Sequence, residues 1–308
     1  MTNLRSALDD YLRLRRHLGF RLERDGQLLP GFIEFVEAAG ADRVTTTAAL
    51  AWAMSPAGAH PAWWATRLGI VRGFARYLQA LDPIHEVPPM GLLPTRRPRT
   101  TPYIYSDDDV RRLIDAAQGL VPSYRAALYE TLVGLLHVTG MRLGEALGLA
   151  RGDVDLVRGR VSVRQAKFNK DRQLPVHATT VAALARYSEI RDQHWPEPAT
   201  DAFFLSARGL RLGSGTVHDV FRGLIRKAGL EGDGARGRPR PHAFRHSFAV
   251  TSLVNFYRTD EHPEARLPVL STFLGHVDPG STYWYLQAAP ELLCLAAQRL
   301  ETVWTDRP

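Results

Sequence analysis

A short stretch of the chain, residues 241–248 (PHAFRHSF), places an arginine between two histidines. His242, Arg245 and His246 are spaced at i, i+3 and i+4, so a helix would bring all three to one face. Pro241 suits the start of such a helix, because the N–H that proline lacks has no helical partner there. The stretch contains no carboxylate, and the planar arginine side chain suits phosphate. It therefore predicts an anion-binding site, with a helix whose polar edge is simply solvated as the alternative.

The composition is that of a globular protein with a polyanionic partner. The 308 residues suffice for two domains, and a hydrophobic content of 45% suffices for buried cores. The net charge of +7 favours a polyanion. Only three lysines are present, and two of them, Lys167 and Lys170, are close together in the sequence.

Other classes of protein are disfavoured by what the sequence lacks. The sequence has a single cysteine, Cys294, which excludes an intramolecular disulfide and a zinc site built from cysteines. We expect the Cys294 side chain to lie in a helical core. The N-terminus has no apolar signal region, and no apolar stretch is long enough to span a bilayer. We therefore expect a cytoplasmic protein without membrane contact.

The first 82 residues have the periodicity of a small helical bundle. Amphipathic or capped helices are predicted at about residues 4–18, 27–39, 47–53 and 60–81. The last helix carries three arginines opposite its tryptophans: Arg67, Arg72 and Arg76. A basic helix face of this kind usually only faces solvent. The functional alternative is that these arginines contact phosphate groups.

Residues 83–102 contain six prolines and end in a basic run formed by Arg96, Arg97 and Arg99. A proline-rich segment of this length predicts an extended linker between two domains. Its basic end is suited to following a nucleic-acid backbone.

From residue 103 onward the pattern predicts an α+β domain. Ser106 followed by three aspartates is a strong helix start. Residues 160–164 and 172–176 alternate as strands and pair across a turn that holds the two lysines, and 202–205 reads as another short strand. Helices are predicted at about 125–138, 143–149, 177–193, 214–228, 265–273, 281–286 and 290–303. The predicted fold class is mainly α with a small antiparallel β-sheet.

Four separated motifs follow one another in this second domain. They are Thr-Gly-Met-Arg142-Leu-Gly-Glu145, the hairpin lysine Lys167, His242-x-x-Arg245, and Leu-Gly-His276 with Tyr285 nine residues later. In this combination the chain resembles the tyrosine recombinases, the phage integrase family, from about residue 106 to 290. The resemblance implies a tyrosine-recombinase catalytic domain at 103–308 with a C-terminal helix, a linker at 83–102, and a SAM-like core-binding domain at 1–82 that clamps DNA.

The resemblance also implies a role for each matching residue. Tyr285 corresponds to the nucleophile that attacks a DNA phosphodiester, and Lys167 to a general acid for the leaving 5′ oxygen. Four residues correspond to groups that stabilise the charge on the five-coordinate phosphorus: Arg142, Arg245, His242 and His276. His242 is also the expected proton acceptor for the phenol. Glu145 matches a supporting acidic residue, and Lys170 is an expected DNA contact.

Several assignments have competitors, and the sequence departs from the family pattern in places. Tyr283 competes with Tyr285, and Lys170 with Lys167. Position 244 is Phe where the family usually has Leu, and the gap between Arg245 and His276 is longer than usual. His242 and His246 have the spacing of a zinc-protease motif, but Ala243 stands where that motif needs Glu, so we expect no metal.

These features predict a site-specific DNA recombinase of the integrase, transposase or resolvase type. It would cleave and rejoin strands of double-stranded DNA through a 3′-phosphotyrosyl intermediate, without metal, ATP or another cofactor. The resemblance further implies a homotetramer on DNA held by the C-terminal helix, alone or together with related recombinases. The alternatives are a type IB topoisomerase-like activity and a non-catalytic DNA-binding protein on the same fold.

Overall fold

A computed structural model describes residues 3–94, 102–164, 171–231, 237–259, 262–276, 278, 280–288 and 290–305. The chain divides into two compact units, Met1–Arg99 and Thr100–Pro308. Among the helices described, none is both long and apolar enough to cross a membrane.

The first unit is the predicted helical bundle. Its helices are α1 (Leu4–His17), α2 (Glu23–Ala38), α3 (Thr46–Met54) and α4 (Pro61–Leu81). Three of them begin at side-chain caps, because Asn3, Thr45 and His60 accept hydrogen bonds from backbone N–H groups of the first turn. Their apolar faces enclose a core in which Phe32 and Phe74 are fully buried.

The beginning of the predicted linker packs on this bundle. The buried ring of His85 accepts a hydrogen bond at its Nδ1 from the backbone N–H of Val44, 3.1 Å away. Arg72 on α4 donates from Nε and Nη2 to the carbonyls of Pro88 and Pro89, at 2.7 and 2.8 Å. These contacts attach residues 85–89 to the first unit. The basic end of the predicted linker, with Arg96, Arg97 and Arg99, lies outside the described residues.

The second unit is mainly helical. Its helices are α5 (Asp107–Gln118), α6 (Ser123–Thr139), α7 (Leu143–Gly148), α8 (Ala178–His194), α9 (Ser214–Lys227), α10 (Ala243–Thr259), α11 (Leu267–Leu274), α12 (Gly280–Ala288) and α13 (Pro290–Thr305). The start of α5 has the predicted Ser106 cap in a reciprocal capping box with Asp109. Cys294, expected in the core, is exposed on α13.

A small antiparallel sheet completes the second unit. Its strands are β1 (Val154–Asp155), β2 (Arg160–Val163) and β3 (Arg172–Pro175), in that order. The predicted pairing of the two strands that flank the lysine turn is therefore confirmed, as is the fold class. Both lysines, Lys167 and Lys170, lie outside the described residues.

The strand expected at residues 202–205 was a wrong prediction. The segment is buried, but it forms only isolated bridges, from Ala202 to Ala150 and from Leu205 to Arg211. Tyrosine hydroxyls take the place of a partner strand at Leu205. The carbonyl of Leu205 accepts from Tyr124 at 2.7 Å, and its N–H donates to Tyr187 at 3.3 Å.

The helix that begins with the His-Arg-His stretch, α10, is held by the segment that precedes α5. The ring of Phe244 is fully buried and stacks on Tyr105 with centroids 4.4 Å apart. The backbone N–H of Tyr105 donates to the hydroxyl of Ser247 at 2.7 Å. Phenylalanine in place of the usual leucine thus extends an aromatic contact that fixes the first turn of α10.

Candidate active site

Arg142 reaches the site because α6 ends in a left-handed glycine. Gly140 has φ +58°, and a Cβ at this position would lie 2.7 Å from the ring of Phe248, so only glycine fits. The chain then turns, and Arg142 precedes the first residue of α7. Its backbone N–H and its Nη1 donate to the two carboxylate oxygens of Glu145, at 2.8 and 2.7 Å.

Arg245 is almost completely buried on α10, with 2% of its surface exposed. It donates from Nη1 to the carbonyl of Gly140 at 3.0 Å and from Nη2 to the carbonyl of Leu274 at 2.7 Å. These carbonyls lie at the C-terminal ends of α6 and α11, where helix dipoles favour a cation. Among the described residues no carboxylate forms an ion pair with Arg245. Burial and the nearby charge of Arg142 lower the pKa of Arg245 to about 10, so the group stays cationic at neutral pH.

The end of α11 presents His276. Gly275 has φ +68°, and its carbonyl accepts from Nη2 of Arg142 at 3.4 Å. The Nδ1 of His276 lies 2.7 Å from the hydroxyl of Thr282, which is itself buried. This hydrogen bond orients the imidazole, whose ring stacks against Tyr285 with centroids 6.2 Å apart.

Tyr285 lies inside the cluster, whereas Tyr283 does not. Tyr285 is 3% exposed and Tyr283 is 53% exposed. Burial raises the pKa of the Tyr285 phenol, and the positive charges of Arg245 and Arg142 act in the opposite direction. The two arginines are therefore close enough to stabilise a phenolate at this position.

Three histidines in the cluster are neutral at pH 7. Loss of hydration and the surrounding arginine charges, Arg245 among them in each case, lower the pKa of His242, His246 and His276 to about 4. Although His242 keeps access to solvent, its ring lies 4.8 Å from that of His246, which in turn lies 5.6 Å from that of Tyr285. Neutral imidazoles can accept a proton or donate a hydrogen bond, depending on the tautomer.

Comparison with known proteins shows the family of the chain. Residues 104–291 match the sequence model of the phage integrase family. The chain is 44% identical to y4rB of Sinorhizobium fredii, named as an integrase/recombinase, with 100% of both chains covered. It is 31% identical to the tyrosine recombinase XerC of Stutzerimonas stutzeri, with 71% of this chain and 67% of XerC covered.

The chain belongs to the phage integrase family. It is a tyrosine recombinase, an enzyme of DNA strand breakage and rejoining. A lambda integrase tetramer bound to a Holliday junction has the same fold, with a TM-score of 0.61 at 18% identity, covering 92% of this chain and 77% of that one.

Two residues that contact the predicted site residues were not identified from the sequence. Arg172 on β3 donates from Nη1 and Nη2 to Glu145, and Thr282 bonds His276. Arg172 was recognised only as part of a pairing strand, because its partner is 27 residues away in sequence. Thr282 lies six residues from His276, and no motif pointed to it.

The arginines predicted to bind DNA in the first unit differ in their surroundings. The guanidinium of Arg67 lies 3.7 Å from the ring centre of Trp52 and donates to that residue's carbonyl at 2.7 Å. Arg72 is engaged with the carbonyls of Pro88 and Pro89. Arg76 is exposed. Their roles as DNA contacts remain predictions.

Two further points concern the predicted chemistry. Within the described ranges no group of three or more His, Cys, Asp or Glu side chains is arranged to hold a metal ion. Lys167, the predicted general acid, and its competitor Lys170 fall in the part of the chain that is not described.

Proposed function

We propose that this tyrosine recombinase is site-specific and cleaves DNA by attack of Tyr285 on a phosphodiester. The attack forms a 3′-phosphotyrosyl bond and releases a free 5′ hydroxyl. The observation that carries this proposal is that a buried Tyr285 lies against Arg245, a buried cation that donates to two backbone carbonyls and forms no ion pair with a described carboxylate. A buried positive charge without a carboxylate partner is costly, and a phosphate would complete it.

The two arginines and the histidines provide the stabilisation that the five-coordinate phosphorus requires. Negative charge accumulates on the nonbridging oxygens, and directed N–H donors that are already in place lower the energy of that state. Arg142 and Arg245 supply charge and donors. His276 contributes as a neutral donor from Nε2 when the hydroxyl of Thr282 donates to its Nδ1.

Two proton transfers complete the cleavage step. The Tyr285 phenol must lose its proton; the neutral ring of His246 lies beside Tyr285 and that of His242 lies beside His246, so this pair can accept the proton. His242 is our assigned acceptor. The leaving 5′ oxygen must gain a proton, which we assign to Lys167. The phosphotyrosyl bond retains the energy of the phosphodiester, so the 5′ hydroxyl of another strand can reverse the step without metal or ATP.

The substrate and assembly follow from the same proposal. We assign double-stranded DNA as the partner, held by the helical first unit and the catalytic unit as a clamp, with Arg76 as the exposed basic residue of α4. We further propose a homotetramer on DNA that involves α13. In this structure the buried Leu292 of α13 packs in its own chain with residues of α10, while Leu293 is exposed. Exchange of α13 between protomers would replace the contact of Leu292 with its own chain by the same contact with a neighbouring protomer.

The experiment is covalent trapping on nicked suicide substrates made from the genomic DNA that flanks the gene. Wild-type protein should form a covalent complex, and mass spectrometry should place the DNA on Tyr285. Tyr285→Phe should abolish the complex, because it removes only the nucleophilic oxygen. Tyr283→Phe is the matched control and should leave the complex intact. A complex that survives Tyr285→Phe, or one that never forms at any flanking sequence, contradicts the proposal.

A further inference from the structure

Arg172 lies where three segments of the catalytic unit meet. Its side chain, on β3, is only 10% exposed. Nη1 and Nη2 donate to Oε1 and Oε2 of Glu145 at 3.2 and 2.7 Å, and Nε donates to the carbonyl of Phe273 at 2.9 Å. Three directed hydrogen bonds therefore hold one planar group between α7 and the last turn of α11.

The carboxylate of Glu145 is shared by two guanidinium groups. Besides Arg172, it accepts from the backbone N–H and the Nη1 of Arg142. Burial raises the pKa of Glu145, but hydrogen bonds from Arg172 and Arg142 outweigh it and hold that pKa below its usual range. One negative charge thus faces two positive ones. Without Arg172, Glu145 alone would neutralise the charge of Arg142.

The contact with Phe273 connects the same guanidinium to the turn that presents His276. The next two carbonyls along the chain, of Leu274 and Gly275, accept from Arg245 and Arg142. A Cβ at Gly275 would lie 2.8 Å from Nη1 of Arg172, so the guanidinium packs directly against this glycine. The position of the turn and the position of Arg172 are therefore coupled.

We propose that Arg172 is a positioning residue for strand cleavage. It holds Glu145, and through Glu145 it orients Arg142 toward the phosphate while keeping the group of three residues positively charged. It also fixes the turn that carries His276. The proposal rests on the function proposed above. Lysine cannot replace the arginine, because a single ammonium group cannot make the two-point contact with the carboxylate and also reach the carbonyl of Phe273.

The test separates DNA binding from cleavage. Arg172→Ala should bind the target DNA with a Kd close to that of the wild type. Covalent-complex formation at saturating DNA should slow about 100-fold, the effect expected when a reacting group is misplaced by about 1 Å. Arg172→Lys should cleave less than about 10-fold faster than Arg172→Ala. Arg160→Ala is the matched control, since Arg160 is an exposed arginine on the neighbouring strand β2 whose side chain bonds only Gln173 among the partners described.

Coupling to Glu145 gives the second criterion. Because Arg172 acts through Glu145, the two substitutions should not act independently. The product of the fold-losses in cleavage rate of Arg172→Ala and Glu145→Gln should clearly exceed the fold-loss measured for the double variant. Independent, multiplicative effects would overturn the proposal. So would a cleavage rate within about two-fold of the wild type in Arg172→Ala, or a loss confined to Kd.

A readout without DNA distinguishes this proposal from the proposed function. In arginine-labelled protein, the guanidinium N–H signals of Arg142, assigned with Arg142→Lys, should be protected from exchange with solvent. Their chemical shifts and exchange rates should change in Arg172→Ala and Arg172→Lys, because Glu145 is then shared with no second guanidinium group, and should stay unchanged in Arg160→Ala. Unchanged Arg142 signals in a folded Arg172→Ala protein would overturn the positioning role, whether or not Tyr285 forms a covalent complex.

Discussion

Two arginines of the catalytic unit are almost equally buried but have different partners. Arg191 on α8 is 3% exposed and Arg245 on α10 is 2% exposed. Arg191 donates from Nε and Nη2 to both carboxylate oxygens of Asp192, at 2.8 and 3.0 Å, and from Nη1 to the carbonyl of Phe203 at 3.1 Å. Arg245 donates to the carbonyls of Gly140 and Leu274.

The difference suggests a criterion that separates a structural arginine from one that we propose to bind phosphate. Arg191 has a carboxylate partner within the protein, so its contacts serve packing around the segment that contains Phe203. Arg245 has no carboxylate ion-pair partner among the residues that the structure describes, and its pKa is lowered to about 10 by burial and by Arg142 nearby. Burial of a cation without a carboxylate is tolerated where binding of an anion is the purpose.

The largest expected effect comes from replacing each arginine with methionine. Arg245→Met should reduce covalent-complex formation by about 10²–10³, because a donor to the phosphorus oxygens is lost. The free energy of unfolding should change by less than about 1 kcal/mol. Removal of a buried charge that forms no ion pair among the described residues offsets the two carbonyls left without a donor. Trapping assays and urea denaturation measure the two quantities.

Arg191→Met is the counterpart and should behave in the opposite way. It should lower the free energy of unfolding by about 1.5–3 kcal/mol, since hydrogen bonds to a charged group are lost. Its folded fraction should cleave DNA at the wild-type rate. If Arg191→Met slows cleavage as much as Arg245→Met does, the distinction between the two arginines is wrong.

Acid should separate the two regions at different pH values. The depressed pKa of His246, about 4, means that between pH 6.5 and 4 the unfolded chain binds a proton that the folded chain does not. The contribution of the neutral His246 to the free energy of unfolding is fully present above pH 6.5 and is lost as the pH falls through 4. His246→Phe should remove about 2 kcal/mol of that pH-dependent loss. Urea denaturation at pH 7, 5.5 and 4.5 measures it.

Asp192→Asn is the control for the other region. Arg191 and Arg151 hold the pKa of Asp192 below its usual range, so its contribution is present above about pH 3.8 and disappears only at lower pH. Asp192→Asn should therefore leave the slope between pH 6.5 and 4.5 unchanged. A slope that flattens in Asp192→Asn and not in His246→Phe would show that the histidine cluster is not the source of acid sensitivity.

The groups expected to contact phosphate were predictable because each belongs to a short local motif. Arg142, His242, Arg245, His276 and Tyr285 each stand in a recognisable residue context, and the structure brings them into one cluster. The alternation in residues 160–164 and 172–176 likewise predicted β2 and β3. Local pattern was sufficient wherever the chemistry or the backbone pairing was itself local.

The supporting contacts were not predictable, because they join distant residues through single hydrogen bonds. Arg172 reaches Phe273 across 101 residues, and His85 reaches Val44 across 41. Composition predicted an extended linker from residue 83, and no periodicity indicates that a buried imidazole will attach it to the bundle. The same limit explains Leu205, whose backbone is satisfied by tyrosine hydroxyls rather than by a strand.

The smallest expected effect concerns Gly275, the residue that follows the Leu274 carbonyl to which Arg245 donates. Gly275 and Gly229 both have a left-handed backbone, with φ +68° and +64°. A Cβ at Gly229 would meet nothing within 4 Å, whereas at Gly275 it would lie 2.8 Å from Arg172. Alanine at either position should cost about 1 kcal/mol of stability from backbone strain.

Only Gly275→Ala should affect cleavage, because it displaces the guanidinium of Arg172 and shifts the carbonyls of Leu274 and Gly275 that hold Arg245 and Arg142. We expect cleavage to slow about 10-fold in Gly275→Ala and to be unchanged in Gly229→Ala, at equal DNA saturation and with unfolding measured in parallel. Equal cleavage rates in the two variants would show that Arg245 does not depend on the α11 turn. Arg245 and Arg191, which is held by a carboxylate and one carbonyl, would then differ only in whether a carboxylate pairs with the guanidinium.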